Sequence, residues 1–293
     1  MKIRLISAAV ALLIFIPVVI VSDSIVLPIA VALVSVIGLF EIFRCVGVHK
    51  NIFFGLPYYL VALIVPAAIH CVVADLYPLP IQSIFLIALL ALVVWSYPCA
   101  IFSKGSIKIT DACTASIGAI YLTAGLNSIL FVRQGMDAGF YHFALIFLGA
   151  WITDSAAYFC GRAFGKHKLI PDVSPKKTVE GSVGGTLICV LTFVLFALIV
   201  QALPSDASTS ISVNYPALIV CGFVISIVSQ VGDLAMSLMK RHYGIKDFGK
   251  IMPGHGGILD RFDSILAAAI VLLICCSVLT LFDFKMMFEI VRL

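Results

Sequence analysis

Charge is what this chain has least of. Asp, Glu, Lys and Arg make up 12% of its 293 residues, about half the ~25% of a soluble globular domain. With 62% hydrophobic residues and a mean hydropathy of +1.17, the composition excludes a water-soluble fold and predicts an integral membrane protein. The dyad alternation of an outer-membrane barrel is missing too; the apolar runs are continuous, so the expected spanning element is the helix. Paired cysteines are lacking. None of the nine cysteines falls in a CxxC pair, and nearly all lie in or beside apolar runs, where they read as small packing residues rather than zinc ligands or disulfides. There is no Walker A loop: Gly161 to Lys166 has the wrong spacing and no Ser or Thr after the lysine. No serine sits in a GxSxG elbow, and no nucleic-acid-binding signature is present.

What is present is a series of apolar runs, each near the ~20 residues a spanning helix needs. There are nine, at roughly 5–21, 25–43, 55–74, 81–102, 112–132, 140–160, 182–203, 216–239 and 262–282. The expected fold is an all-α, polytopic membrane helix bundle of about nine transmembrane helices. The first run resembles a signal peptide, but no convincing small-x-small cleavage site follows and the run is long, so it counts as a span. Of the 19 Lys and Arg residues, only Arg133, Lys285 and Arg292 fall outside one alternating set of loops. The positive-inside rule then predicts a cytoplasmic N-terminus and, with an odd span count, a C-terminus outside. Residues 1–139 read as N-terminal spans and residues 140–293 as a catalytic half within one integral unit. Two cytoplasmic loops, 161–181 and 240–261, are longer, basic and glycine-containing.

The polar residues gather in and around those loops. On the eighth run Ser226, Ser229, Gln230, Asp233, Ser237, Lys240 and Arg241 recur at helical spacing, drawing one stripe down one face. An aspartate at the bilayer centre costs ~2.5–3.5 kcal/mol on insertion scales. Asp233 therefore reads either as a metal ligand or as half of a buried ion pair that holds helices together. Gly254-His255-Gly256-Gly257 lets the backbone bring N–H groups close to an anion. Asp260 and Asp263 follow, three residues apart at the start of the ninth run. Either could cap that helix; with Asp233 they form a candidate divalent-cation site. Lys240, Arg241, Lys246 and Arg261 read as phosphate holders, or as topology determinants that attract anionic headgroups. Lys250 reads as topology alone. In the other loop Asp154, Tyr158 and Arg162 share a helical face, while Ser174, Lys176, Lys177 and Thr178 could wrap a polyphosphate. His255 is the one histidine in a polar constellation. Carboxylates with few other ligands suit Mg²⁺, which keeps its waters and binds substrate phosphates.

The run Ser237-x-x-Lys240-Arg241-x4-Lys246-Asp247-x5-Pro253-Gly254-His255-Gly256-Gly257-x-x-Asp260-Arg261-x-Asp263 resembles the signature of the phosphatidate cytidylyltransferase (CDP-diacylglycerol synthase) family. Asp154 to Arg162, Ser174 to Gly181 and Gln230-x-Gly232-Asp233-Leu234 are similar to that family as well. The detailed likeness covers the C-terminal half. Two departures are Val179, where the family often has Trp, and Ala235-Met236-Ser237, where it often has an acidic residue. The resemblance implies transfer of CMP from CTP to phosphatidate for phospholipid synthesis. It also implies dependence on Mg²⁺ with a monovalent cation such as K⁺ beside it, a homodimer, and a multi-pass place in the cell membrane with the site facing the cytoplasm. Asp233, Asp260 and Asp263 would hold metal. Ser174, Lys176, Lys177, Thr178, Lys240, Arg241, Lys246, His255, Gly256, Gly257 and Arg261 would hold substrate. The rivals are a dolichol-kinase-like or archaeal-lipid cytidylyltransferase, differing in the acceptor, and a cation-coupled carrier.

Overall fold

A computed structural model describes residues 2–74, 76, 80–202, 209–254 and 256–292. Nine helices run through them: α1 (Lys2–Ile20), α2 (Val26–Val46), α3 (Ile52–Val73), α4 (Ile81–Phe102), α5 (Ile109–Gln134), α6 (Gly139–Phe164), α7 (Val179–Ala202), α8 (Tyr215–His242) and α9 (Leu259–Leu281). Each lies on one of the apolar runs, and the differences fall at the ends. Eight of the nine are long and apolar enough to cross a membrane; α1 contributes a shorter apolar stretch, Ser7–Ile20. This is a multi-pass membrane protein. Side chains such as Leu13, Ile101, Leu187, Leu191 and Val220 stand exposed on these helices, as lipid-facing residues must.

Two short antiparallel ribbons were not expected from the all-helical reading. β1 (Lys168–Ile170) pairs with β2 (Ser174–Thr178), and β3 (Thr209–Val213) pairs with β4 (Phe288–Arg292). Both join helix ends. Away from hydrocarbon, water can satisfy the outer edge of a ribbon, so an open strand costs little there.

The chain packs as two compact units that do not follow chain order. The first holds residues 1–130 together with Lys240–Phe262. Its centre is aromatic: Phe43 of α2 meets Phe54 and Tyr58 of α3 edge-on, at 5.5 and 5.4 Å between ring centroids. The Tyr58 hydroxyl hydrogen-bonds the Leu92 carbonyl of α4 at 2.9 Å and Ser116 of α5 at 2.5 Å. Gly47, at φ 91°, ends α2 in the left-handed conformation that suits glycine. Asn51 opens α3 by accepting from the Phe54 N–H at 3.0 Å. The segment after α8 is tied to three helices of this unit. Ser7 of α1 donates to the Pro253 carbonyl at 3.1 Å, Arg44 of α2 to the Phe248 carbonyl at 2.5 Å, and Tyr243 to Asp111 of α5 at 3.2 Å. The start of α1, the end of α2 and the start of α5 therefore lie together around this segment.

The second unit holds Phe131–Met239 and Asp263–Leu293. In it α6 and α7 approach closely over small residues, the packing that lets helix backbones touch in lipid. A Cβ on Gly185 would sit 2.9 Å from the Thr153 carbonyl. The polar stripe of α8 is partly spent here. Ser226 is fully buried, accepts from Thr153 at 3.0 Å and donates to Thr186 at 3.1 Å; Gln230 donates to Thr186 at 3.4 Å. The β3–β4 ribbon buries Phe288 against Tyr141 and Phe196. It also puts the chain's last strand on the same side as the α7–α8 connection.

Candidate active site

Two polar clusters carry the chemistry-bearing residues, one in each unit. The first is built on the connection from α8 to α9. Lys240, in the last turn of α8, is buried at 8% exposure and pairs with Asp260 in the first turn of α9, Nζ to Oδ1 2.7 Å. The other oxygen of Asp260 accepts from the Phe248 N–H at 2.8 Å and the Gly257 N–H at 2.9 Å. Asp260 thus ties its own helix to both arms of the glycine loop. That loop closes on itself: Met252 and Gly256 exchange hydrogen bonds at 3.0 and 3.1 Å. Gly254 and Gly256 make the reversal at φ 77° and 93°, the region that favours glycine. A cleft of about 580 Å³ opens on the loop, lined by Lys246, Lys250 and Arg261 with Asp247 and glycine backbone. Its lining is cationic, which fits a phosphorylated ligand.

The second cluster lies where α6, β2, α8 and α9 of the other unit meet. Lys177 on β2 pairs with Asp233 on α8, Nζ to Oδ2 2.6 Å, both about a quarter exposed. Asp154 on α6 accepts from the Ser264 hydroxyl at 2.9 Å and feels the charges of Asp233 and Lys177. Asp263 accepts from the Ser264 N–H at 2.9 Å. β2 is anchored at its end by Thr178, whose hydroxyl accepts from the Gly181 N–H at 3.1 Å and so caps α7. Glycines at 161, 165 and 181 leave room for that hydroxyl; a Cβ on any of them would fall within 2.9 Å of it. Glu180, beside the cap, holds His167 at 2.6 Å.

Compared with known proteins, residues 2–279 match the profile of the Cytidylyltransferase family. The chain belongs to that family. It is 34% identical over 266 residues to a phosphatidate cytidylyltransferase of Staphylococcus epidermidis, covering 91% of this chain and 95% of that protein. The proteins of the same name from Staphylococcus haemolyticus and Staphylococcus aureus are 35% identical over 270 residues and 33% over 269, with the same coverage.

In this cytidylyltransferase the residues singled out by motif occupy different settings. Asp233 and Asp260 are each paired with a lysine, and Asp263 is half-buried and accepts from the Ser264 N–H. Lys246 and Arg261 line the cleft, and so does Lys250, which had read as topology alone. Arg241 is exposed and donates to the Ile245 carbonyl at 3.4 Å. Lys176 is exposed on β2, Ser174 is half-buried, and Thr178 acts as a cap. Gly256 and Gly257 shape the loop; His255 lies outside the described residues. Among the described residues no group of three or more His, Cys, Asp or Glu could hold a metal ion by itself. Two participants escaped motif reading. Motif spacing places Asp154 only on a helical face and does not reach Glu41 on α2; a carboxylate inside an apolar run is the signal for both.

Proposed function

We infer that this chain transfers CMP from CTP to phosphatidate, yielding CDP-diacylglycerol and pyrophosphate. The observation that carries the reading is family membership across nearly the whole chain, together with relatives named for that activity. A phosphate oxygen of phosphatidate attacks the α-phosphorus of CTP. The bond from that phosphorus to the bridging oxygen breaks, and pyrophosphate leaves with the electron pair. The attacking phosphate is already ionised, so no strong general base is required. The difficulty is that two anions must meet, and positioning plus charge neutralisation carry most of the rate. Lys246, Lys250 and Arg261 supply cationic lining. Lys177 and Lys240 each lean on a carboxylate; of the two, the more exposed Lys177 is the one that can turn to a phosphate.

The acidic residues fit a hard cation. Asp233 and Asp260 already hold ammonium groups at 2.6 and 2.7 Å, and all the donors are oxygen. In the second unit Asp233 and Asp263 would offer oxygen donors to Mg²⁺, with Asp154 close enough to feel the charge of Asp233, and in the first unit Asp260 would offer its own; phosphate oxygens would complete coordination that the protein leaves short. The ion would neutralise phosphate charge. K⁺ as a second cation, a homodimer, a cell-membrane location and a cytoplasmic site belong to the same proposal. The test is purified protein with labelled CTP, Mg²⁺ and a panel of acceptor lipids. Labelled CDP-diacylglycerol formed from phosphatidate, and lost on chelation with EDTA, is the expected result. Transfer only to a polyprenyl or ether-linked acceptor would reassign the substrate.

A further inference from the structure

Glu41 is an anomaly. It sits near the end of the apolar helix α2, 1% exposed, between Phe40 and Ile42. A carboxylate is not kept there for packing. Its oxygens accept from two backbone N–H groups at the start of α9: Oε1 from Ile258 at 3.1 Å and Oε2 from Leu259 at 2.8 Å. These belong to the donors that a helix start leaves without intrahelical partners. The residue at the usual capping place is Ile258, which has no acceptor in its side chain. The cap for α9 therefore comes from the other end of the chain, 217 and 218 residues earlier in sequence.

The glycine loop is shaped around the same carboxylate. A Cβ on Gly257 would lie 2.5 and 2.6 Å from its two oxygens, and one on Gly249 would be closer still. One turn further along α2, Arg44 donates to the Phe248 carbonyl. Asp260 accepts from the N–H groups of Phe248 and Gly257 on the same two strands of loop. Glu41 and Asp260 thus divide the free N–H groups of this crossing between them. Both oxygens of Glu41 are engaged by backbone, so it has no need of substrate or metal to satisfy it.

We propose that Glu41 is a positioning residue: from α2 it sets the start of α9 and the glycine loop, and through them the Asp260 carboxylate, without touching substrate. The catalytic part of this statement rests on the cytidylyl-transfer reading; the structural part does not. The test uses full-length protein in phosphatidate-containing micelles, comparing Glu41→Gln with Tyr58→Phe. The second variant deletes a buried hydroxyl of the same unit that hydrogen-bonds α4 and α5, away from the loop. An amide side chain can accept from only one of the two N–H groups and points a donor at the other. The expected result for Glu41→Gln is a kcat lower by about 10- to 100-fold, the usual cost of losing an outer-sphere support, with the KM for CTP nearly unchanged. Hydrogen exchange should speed by about tenfold or more at the Ile258 and Leu259 amides. Tyr58→Phe should leave kcat and those two amides as in wild type. Wild-type kcat in folded Glu41→Gln, unchanged exchange at both amides, or an equal kcat loss in Tyr58→Phe would each overturn the proposal. If Glu41→Gln does not fold, Glu41→Asp keeps the charge but falls one methylene short of the amides, and the same two readouts decide. Faster exchange in a protein with no cytidylyl transfer at all would instead sink the assigned reaction and leave the cap standing.

Discussion

Two lysine–aspartate pairs with nearly the same length differ in what they are worth. Lys177 and Asp233 are each about a quarter exposed as side chains, so water screens the pair in part, although the Lys177 ammonium nitrogen is buried; the pair is worth less than a wholly buried one. Lys240 and Asp260 are almost wholly buried, with side chains 10% and 3% exposed; removing one partner there strands the other, at a cost of about 3–5 kcal/mol. The consequence is a separable phenotype. Asp233→Asn should lose only a small part of its stability while CMP transfer falls by about 100-fold or more, the scale of losing one electrostatic contact to the reacting groups. Asp260→Asn should lose both activity and a large part of its stability. Thermal unfolding beside the CTP assay distinguishes them; equal midpoints for the two variants would mean that burial does not set the difference.

Helix ends, rather than helix interiors, organise the polar elements. Thr178 opens α7 from β2, and Glu41 and Asp260 manage the start of α9. Thr178→Val should lower stability by about 1 kcal/mol, the usual worth of a cap, and Thr178→Ser should restore it, as read by denaturant or thermal unfolding. Gly257→Ala should be far worse, because its methyl would run into the Glu41 carboxylate and into the Gly249 N–H, 2.6 Å away. Loss of transfer activity with faster amide exchange through residues 248–258 is the expected outcome. The cysteines contribute nothing of this kind: all nine are free thiols, four of them buried, consistent with packing residues.

For the whole molecule, the membrane dictates the plan. Every spanning segment must satisfy its own backbone, so helices cross and irregular structure stays at their ends. Within the first unit the α8–α9 connection is held by Ser7, Arg44 and Asp111, and within the second the β3–β4 ribbon joins the approach to α8 with the segment after α9. A labelling experiment follows. Single cysteines introduced at Lys250 and at Lys176, in a cysteine-free background, should react with an impermeant maleimide only from the cytoplasmic side. One at Ser210 on β3 should react only from outside. Reaction of Lys250 and Ser210 positions from the same side would overturn the nine-crossing topology.

The apolar helices and the family were legible along the chain. Hydrophobic length, charge alternation and motif spacing are local quantities that need no partner to be read. The aspartates of the motif were legible as candidates for the same reason. Their settings were not. That Asp233 meets Lys177 rather than a residue of its own helix, that Thr178 caps instead of reaching outward, and that Glu41 closes the start of α9 depend on contacts between segments far apart in sequence. A hydrogen bond is decided by a few tenths of an ångström at both ends, and only the packed chain brings α2 within that reach of α9.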